Sequence, residues 1–276
     1  MIKENYDISI ISLTKDNKEG LERTLESLKI QNANLKIELI IVDGSCNQAQ
    51  QINKKLINNF NNKINKSYID IKYFNSRNLN IYGIFPCMNF GKMIAEGDYI
   101  IFMNSGDEFF DDNSLKLLFN RTKKINKTSS IIFGQANICS DNNLNWFFPG
   151  DRVSKIERWL RYFEPNHQAM MITNKLAKRF DFESKYHIIA DGFWKRTILD
   201  HAKDIVYIKK PVCKFYLNGI SSNKPSINTL VKILKNKNFS LIRKFIFVVK
   251  FFIPKTILNI YRFLQKYKSL IMDYLF

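Results

Sequence analysis

The chain reads as an α/β protein, a mostly parallel sheet flanked by helices, with a basic amphipathic helical extension at its C-terminal end. Three observations predict this. Apolar runs that stop abruptly in polar turns, at Ile8–Leu13, Ile37–Val42 and Tyr99–Met103, have the length and bounds of buried strands. Helical periodicity occupies the intervals between them, and alternating strands and helices build βαβ units with right-handed crossovers. A hydrophobic content of 45% and an aromatic content of 14% across 276 residues suffice for a sizeable core and argue against disorder.

Taken in order, Ile8–Leu13 is the first strand. Glu19–Ile30 is a helix, with Leu21, Leu25 and Leu28 on one face. Ile37–Val42 is the second strand and ends at Asp43-Gly44-Ser45. Asn47–Phe60 reads as a helix, Ile69–Phe74 as a third strand and Cys87–Ala95 as a short helix, with Gly97-Asp98 leading into Tyr99–Met103. Ser114–Lys124 is the next helix, before strands at Ser130–Phe133 and Asn145–Phe148. The pattern then loosens. Val153–Tyr162 reads as a helix, His167–Ile172 as a strand, Ile189–Asp200 as a helix, and Ile205–Ile208 and Val212–Leu217 as strands. Composition shifts towards Lys, Phe and Ile after Lys224-Pro225-Ser226, which divides a domain of residues 1–225 from a tail of residues 226–276.

The net charge is +18, and residues 228–276, with ten Lys/Arg and only Asp273 as an acid, carry half of it. The remainder is a mild basic excess suited to anionic substrates. Cys46, Cys87, Cys139 and Cys213 are far apart and form no C-x-x-C pair, against a zinc site or a disulfide framework. Scattered cysteines, a start without an apolar signal segment, and no run of roughly 18 apolar residues lead us to expect a cytoplasmic chain that does not span a membrane.

In open α/β sheets ligands bind where the carboxyl ends of the strands meet their loops. Asn104 and Asp107 stand at such a place, after Tyr99–Met103. A carboxylate with an amide oxygen can hold Mg²⁺ against a diphosphate; the same residues also serve as turn and cap before a helix near Asn113. The glycine-rich alternatives fail. Thr14-Lys15-Asp16-Asn17 is not a dinucleotide fingerprint, and Pro86 stands where a phosphate loop ending at Gly91-Lys92 needs its first glycine.

The order of motifs resembles a known family. Ile8–Thr14, Leu21–Leu28 with Gln31, Glu38–Ser45, Tyr82–Phe85, Met88-Asn89, Gly91 and Ala95–Phe109 are similar to the inverting GT-A glycosyltransferases of family 2. Within it they resemble the branch that builds colanic acid, O-antigen and capsule, with Asn-Ser-Gly-Asp in place of the more familiar Asp-x-Asp. The similarity is densest over residues 8–110 and thinner through His167-Gln168, Ala190–Arg196 and Phe215–Ser222. It implies a Rossmann-like GT-A domain with a nucleotide-binding half near residues 1–110 and an acceptor half near 111–225. A nucleotide sugar, UDP-linked in the first instance, would lie against Thr14, Asp43, Asn89, Asn104 and Asp107, with Asp107 the ligand for Mg²⁺ or Mn²⁺. Asp191 would be the catalytic base, and His167 and Gln168 would reach the diphosphate or the acceptor. Two departures stand out: Asp-Gly-Ser-Cys-Asn at residues 43–47 lacks a second acid, and Pro86 replaces an acid commonly found before the Ala-Met-Asn run.

Residue-level alternatives accompany each role: an Asx-turn for Asp43, an N-cap for Asp191, a helix start for Asn89 and a hydrogen-bonded structural residue for His167. In the tail, Arg243 with Lys250, and Lys255 with Arg262 and Lys266, edge long apolar faces, the pattern of a helix lying in a membrane interface. This predicts a peripheral protein on the inner face of the cell membrane, facing an anionic surface and a polyprenyl-diphosphate-linked glycan acceptor. No nucleic-acid-reading motif is present. The competing functions are a membrane-surface adaptor on a degenerate transferase fold, and a sugar nucleotidyltransferase, whose glycine-rich basic loop after the first strand is missing.

Overall fold

The computed structural model describes residues 6–64, 68–139, 145–149, 165–185, 190–217, 227–235 and 241–252. Its first half follows the expected alternation: β1 (Ile8–Thr14), α1 (Lys18–Lys29), β2 (Ile37–Asp43), α2 (Asn47–Lys63), β3 (Ile69–Asn75), α3 (Ile84–Ile94) and β4 (Tyr99–Phe102). β1 pairs in parallel with β2 and β4, and β2 with β3. These strands are apolar because helices cover both faces. On one face Leu21, Leu25 and Leu28 of α1 and Ile57 and Phe60 of α2 close over Ile10, Leu39 and Ile101. On the other, Met88 packs with Ile11, Ile40 and Phe102.

At the foot of the sheet Glu38 is fully buried, and its carboxylate accepts from Ser9 Oγ at 2.5 Å, Lys72 Nζ at 2.6 Å and the Glu96 N–H at 2.8 Å. That network fixes the turn entering β4.

The second half is mixed. β5 (Glu108–Phe109), α4 (Ser114–Phe119), β6 (Ser130–Cys139), β7 (Asn145–Phe148), β8 (Met170–Thr173), α5 (Asn174–Arg179), α6 (Ala190–His201) and β9 (Asp204–Tyr216) complete one sheet ordered β3-β2-β1-β4-β8-β6-β9-β5, with β7 on β6. β8 runs antiparallel between β4 and β6, β9 runs parallel to β6, and β5 is antiparallel to β9. The sheet is therefore parallel where β1–β4 meet and mixed beyond.

Several boundaries differ from the sequence reading. α3 starts at Ile84, after Gly83 with φ +96°, and Pro86 falls in its first turn, where no backbone N–H is needed. His167–Ala169 is a 3₁₀ turn ahead of β8, and the helix at Ser114 stops at Phe119 before a second short turn at Thr122–Lys124. β5 and α5 were not anticipated. The two candidate strands at 205–208 and 212–217 are one strand, with register shifts around Pro211, a residue that a bulge tolerates because it lacks an N–H. At the same bulge, a Cβ on Gly134 would stand 2.6 Å from Val212 Cγ1, so only glycine lets β9 approach. The helix expected at Val153–Tyr162 and the boundary at Lys224-Pro225-Ser226 lie outside the described residues.

α7 (Ile227–Lys235) and α8 (Leu241–Phe252) lie against one another. Among the described residues no helix is long and apolar enough to cross a membrane.

β8 occupies one edge of β6 only along residues 131–133, and β7 takes the same edge along residues 136–139. The upper parts of β6 and β9 thus rise past the end of β4 as a wall, with β7 and β5 on its flanks. This wall and the carboxyl ends of β1, β2 and β4 frame the site.

Candidate active site

Asp107 follows a turn built for close fit. Gly106 has φ +107°, a backbone conformation that favours glycine. Its N–H donates to Gly20 O at 3.0 Å and to Thr24 Oγ1 at 3.1 Å, and the Ser105 N–H donates to Leu13 O at 2.9 Å. Thr24 Oγ1 also donates to Asp107 O at 2.7 Å. The loop is thereby bolted to α1 and β1.

The Asp107 carboxylate is 6% exposed. One oxygen accepts from Gln168 Nε2 at 2.8 Å, the other from the Tyr216 N–H at 3.3 Å. Burial pushes its pKa up to about 7, against the lowering effect of those two donors and of Arg23. Asn104 Oδ1, Gln168 Oε1 and His167 Nε2 are buried and unpartnered. Buried polar atoms without partners are uncommon and call for a ligand, ion or water. Three of them, on Asn104 and on the turn that carries Gln168, accompany a carboxylate whose ionisation burial opposes.

Asp191 begins α6. Its Oδ1 accepts from the Gly192 N–H at 2.7 Å, one residue on and so not an N-cap bond, while Oδ2 stands 3.6 Å from His167 Nδ1. Burial opposes ionisation, but the Lys195 ammonium and His167 outweigh it and hold the carboxyl well below the usual range. His167 and Gln168 are consecutive, and Asn166 Oδ1 fixes their turn by accepting the Gln168 N–H at 2.9 Å. One turn therefore ties Asp191 to Asp107. Sequence reasoning had assigned His167 and Gln168 only a loose role towards diphosphate or acceptor.

The corner at β1 and β2 is arranged differently from expectation. Asp43 is fully buried, and its carboxylate accepts from the Ser45 N–H at 2.8 Å, Asn53 Nδ2 at 2.9 Å and Tyr73 Oη at 2.9 Å. Burial and that carboxylate push the Tyr73 hydroxyl pKa up. The Asx-turn is thus present, and the side chain builds the loop. Thr14 links the two corners: it is the register partner of Asp43, its carbonyl accepts the Gly44 N–H at 2.9 Å, and Thr14 Oγ1 donates to Ser105 Oγ at 3.3 Å.

The exposed acid here is Asp16, at φ +50°, a residue that sequence reasoning missed. Its Oδ1 accepts the Cys46 N–H at 2.9 Å, its own N–H donates to Ser45 Oγ at 2.7 Å, and the Cys46 bond above all lowers its pKa. Its only signal in the sequence was a polar turn directly after the first strand.

Asn89 does not stand free. Its Nδ2 donates to Phe182 O and its Oδ1 accepts the Phe182 N–H, both at 2.9 Å. The buried Lys92 ammonium donates to Phe180 O and to Asp181 Oδ1, and Trp194 Nε1 donates to Phe180 O at 2.8 Å. α3 and α6 together clamp the segment 180–182, and burial pushes the Lys92 pKa down.

Among the described residues no group of three His, Cys, Asp or Glu could hold a metal ion. The donors suit a cation held chiefly by other ligands. A single carboxylate with amide oxygens nearby fits a hard ion such as Mg²⁺ or Mn²⁺ that takes most of its coordination from phosphate and water.

Comparison with known proteins fits this geometry. No curated protein sequence matches the chain. Its fold is similar to that of S. aureus TarS residues 1–349, with 17% identity, a TM-score of 0.55, and coverage of 89% of this chain and 70% of that one. The TarS structure in complex with UDP-GlcNAc gives a TM-score of 0.56 at the same identity, covering 89% of this chain and 71% of that one. The mannosyltransferase PcManGT from Pyrobaculum calidifontis, in complex with GDP-Man and Mn²⁺, has a TM-score of 0.56 at 12% identity and covers 91% and 70%. The model of glycosyl transferase family 2 matches residues 9–200, well over half of the sequence. On that match the chain belongs to glycosyl transferase family 2 and is a nucleotide-sugar-dependent glycosyltransferase.

Proposed function

We propose that this enzyme transfers a sugar from a UDP-linked donor to a hydroxyl of a lipid-linked glycan in bacterial surface polysaccharide synthesis, by single displacement with inversion. The observation that carries the reading is the buried Asp107, its pKa raised to about 7 and its carboxylate bonded to Gln168, whose amide oxygen is unpartnered, as is that of Asn104 in the Asp107 loop. A diphosphate with its counter-cation is a ligand whose chemistry matches these groups. The UDP and UDP-GlcNAc complexes of TarS support a uridine donor.

Asp107, with Asn104, would hold Mg²⁺ or Mn²⁺. Bound there, the ion would offset the charge that develops on the departing nucleoside diphosphate. Thr14 and the loop that Asp43 braces would shape the nucleotide end, and Asn89 would act through the segment it clamps. Asp191, ionised and oriented by Gly192 and His167, takes the proton from the acceptor hydroxyl as its oxygen attacks the anomeric carbon. Gln168 keeps the Asp107 side of the site in fixed relation to that base.

A membrane-bound acceptor is consistent with the tail. Leu241 is 82% exposed and Phe245 68% exposed on one face of α8, and Ile227, Val231 and Leu234 follow helical spacing on α7. Apolar faces edged with basic residues bind anionic bilayers, each basic group adding about 1 kcal/mol.

The test is hydrolysis and transfer with a panel of nucleotide sugars in Mn²⁺ or Mg²⁺. Activity that needs both a UDP-sugar and the cation, and that Asp107→Ala removes, supports the reading. Indifference to Asp107→Ala rejects it.

A further inference from the structure

Another buried, unpartnered oxygen lies outside the groups described so far, at Asn137 Oδ1 on the upper part of β6. In register, Asn137 stands between Lys214 on β9 and Phe147 on β7. The Lys214 ammonium turns to Glu108 Oε2 at 3.3 Å and makes no bond to Asn137 Oδ1. Phe147 is 48% exposed and meets Phe110 edge-on, with ring centroids 6.2 Å apart. The flanking residues Ala136, Ile138 and Cys213 lie in the core on the opposite face of the wall. By alternation Asn137, Phe147 and Lys214 share the other face.

That face adjoins the reaction centre. Lys214 is the register partner of Glu108, the residue after Asp107, and the Tyr216 N–H donates to Asp107 itself. With strands about 4.8 Å apart, Asn137 stands about 10 Å from the β5 strand. The wall offers an exposed aromatic ring, an amide oxygen in need of a donor, and an ion pair, side by side. A pyranose has the complementary parts: an apolar C–H face for the ring, and hydroxyls for the amide and the charged pair.

We propose that this wall is the subsite for the acceptor's pyranose, stacked on Phe147 and donating a hydroxyl to Asn137 Oδ1. The inference rests on the transfer reading given above, since it takes Asp107 as the neighbouring reaction centre.

Saturation-transfer NMR on the full chain with UDP and Mn²⁺ tests it, using a panel of methyl hexopyranosides and their common disaccharides as probes. At least one glycoside should bind through its ring protons. Phe147→Ala and Asn137→Leu should each weaken it by about tenfold, the loss of one aromatic or hydrogen-bonding contact. UDP affinity and the melting temperature should not change. Absence of glycoside binding while UDP binds would overturn the subsite, as would unaltered binding in both variants. Glycoside binding that depends on Phe147 in a chain that fails to bind UDP would uphold the subsite and reject the donor reading instead.

Discussion

Replacing Asp107 with asparagine separates what this carboxylate does for the reaction from what it does to the fold. Burial raises its pKa from 3.8 to about 7. At 1.36 kcal/mol per unit, the ionised group weakens the native state by about 4 kcal/mol at alkaline pH. The sign follows from proton binding. The native chain keeps this proton to a higher pH than the unfolded chain, so the stability it contributes is full below about pH 4 and lost as pH rises towards 7. Between pH 5 and pH 8 the loss is about 3 kcal/mol.

The neutral amide of Asp107→Asn carries no such penalty, and the pocket accommodates it. If Gln168 turns its amide over, the now unpartnered Gln168 Oε1 accepts from the new side chain, whose oxygen still receives the Tyr216 N–H. Denaturant unfolding of both proteins in EDTA at the two pH values measures the difference. The variant should gain on the parent by about 3 kcal/mol from pH 5 to pH 8 while losing cation-dependent activity. All other titrating groups are common to both proteins and cancel. Parallel stability curves would refute the argument that burial dominates at Asp107. Addition of Mn²⁺ with UDP at pH 8 should restore stability to the parent alone.

Other outcomes follow from the same geometry. Asp191→Asn should lower kcat by roughly 10²–10⁴ with little change in donor KM, and because Asp191 titrates well below the usual range, any fall in turnover between pH 8 and pH 5 should follow Asp107 and not Asp191. Gly106→Ala forces a side chain into φ +107° and should cost about 1–3 kcal/mol in thermal unfolding, together with cation-dependent activity. Asn89→Ala strands the Phe182 N–H and C=O and should destabilise the chain by about 1–3 kcal/mol in urea; unchanged stability with a raised donor KM would assign the amide to the sugar instead. The double substitution Leu241→Glu and Phe245→Glu should abolish sedimentation with phosphatidylglycerol vesicles and leave donor hydrolysis intact.

The parallel half of the sheet was legible because each strand is an apolar run between polar turns, and helix periodicity set the rest. The wall was not. β5 is only two residues long, and Pro211 breaks the apolar pattern of β9 although the strand passes through it as a bulge. Asp107 and Asp191 could be singled out by type and position. Their connection through His167 and Gln168 could not, since nothing in the local sequence sets a 3₁₀ turn against two loops far away in the chain. Asp43 and Asn89 show the converse. A carboxylate or an amide at a strand or helix end looks the same in sequence whether it greets a ligand or braces its own backbone. Only the donors Ser45, Asn53 and Tyr73, and the clamp on Phe182, reveal the second role.

The irregularity in β9 has one more consequence. Val206, Ile208 and Val212 face the core below it, whereas above it Cys213 and Phe215 do, so the strand changes phase by one residue. Lys214 and Tyr216 reach Glu108 only because of that offset. Removing a single residue between Ile208 and Cys213 would rotate the upper strand by half a period, swing both side chains inward, and leave Phe215 facing water. A deletion of one residue would then dismantle the Glu108 contacts and the Tyr216 N–H bond to Asp107 from a strand far along the chain.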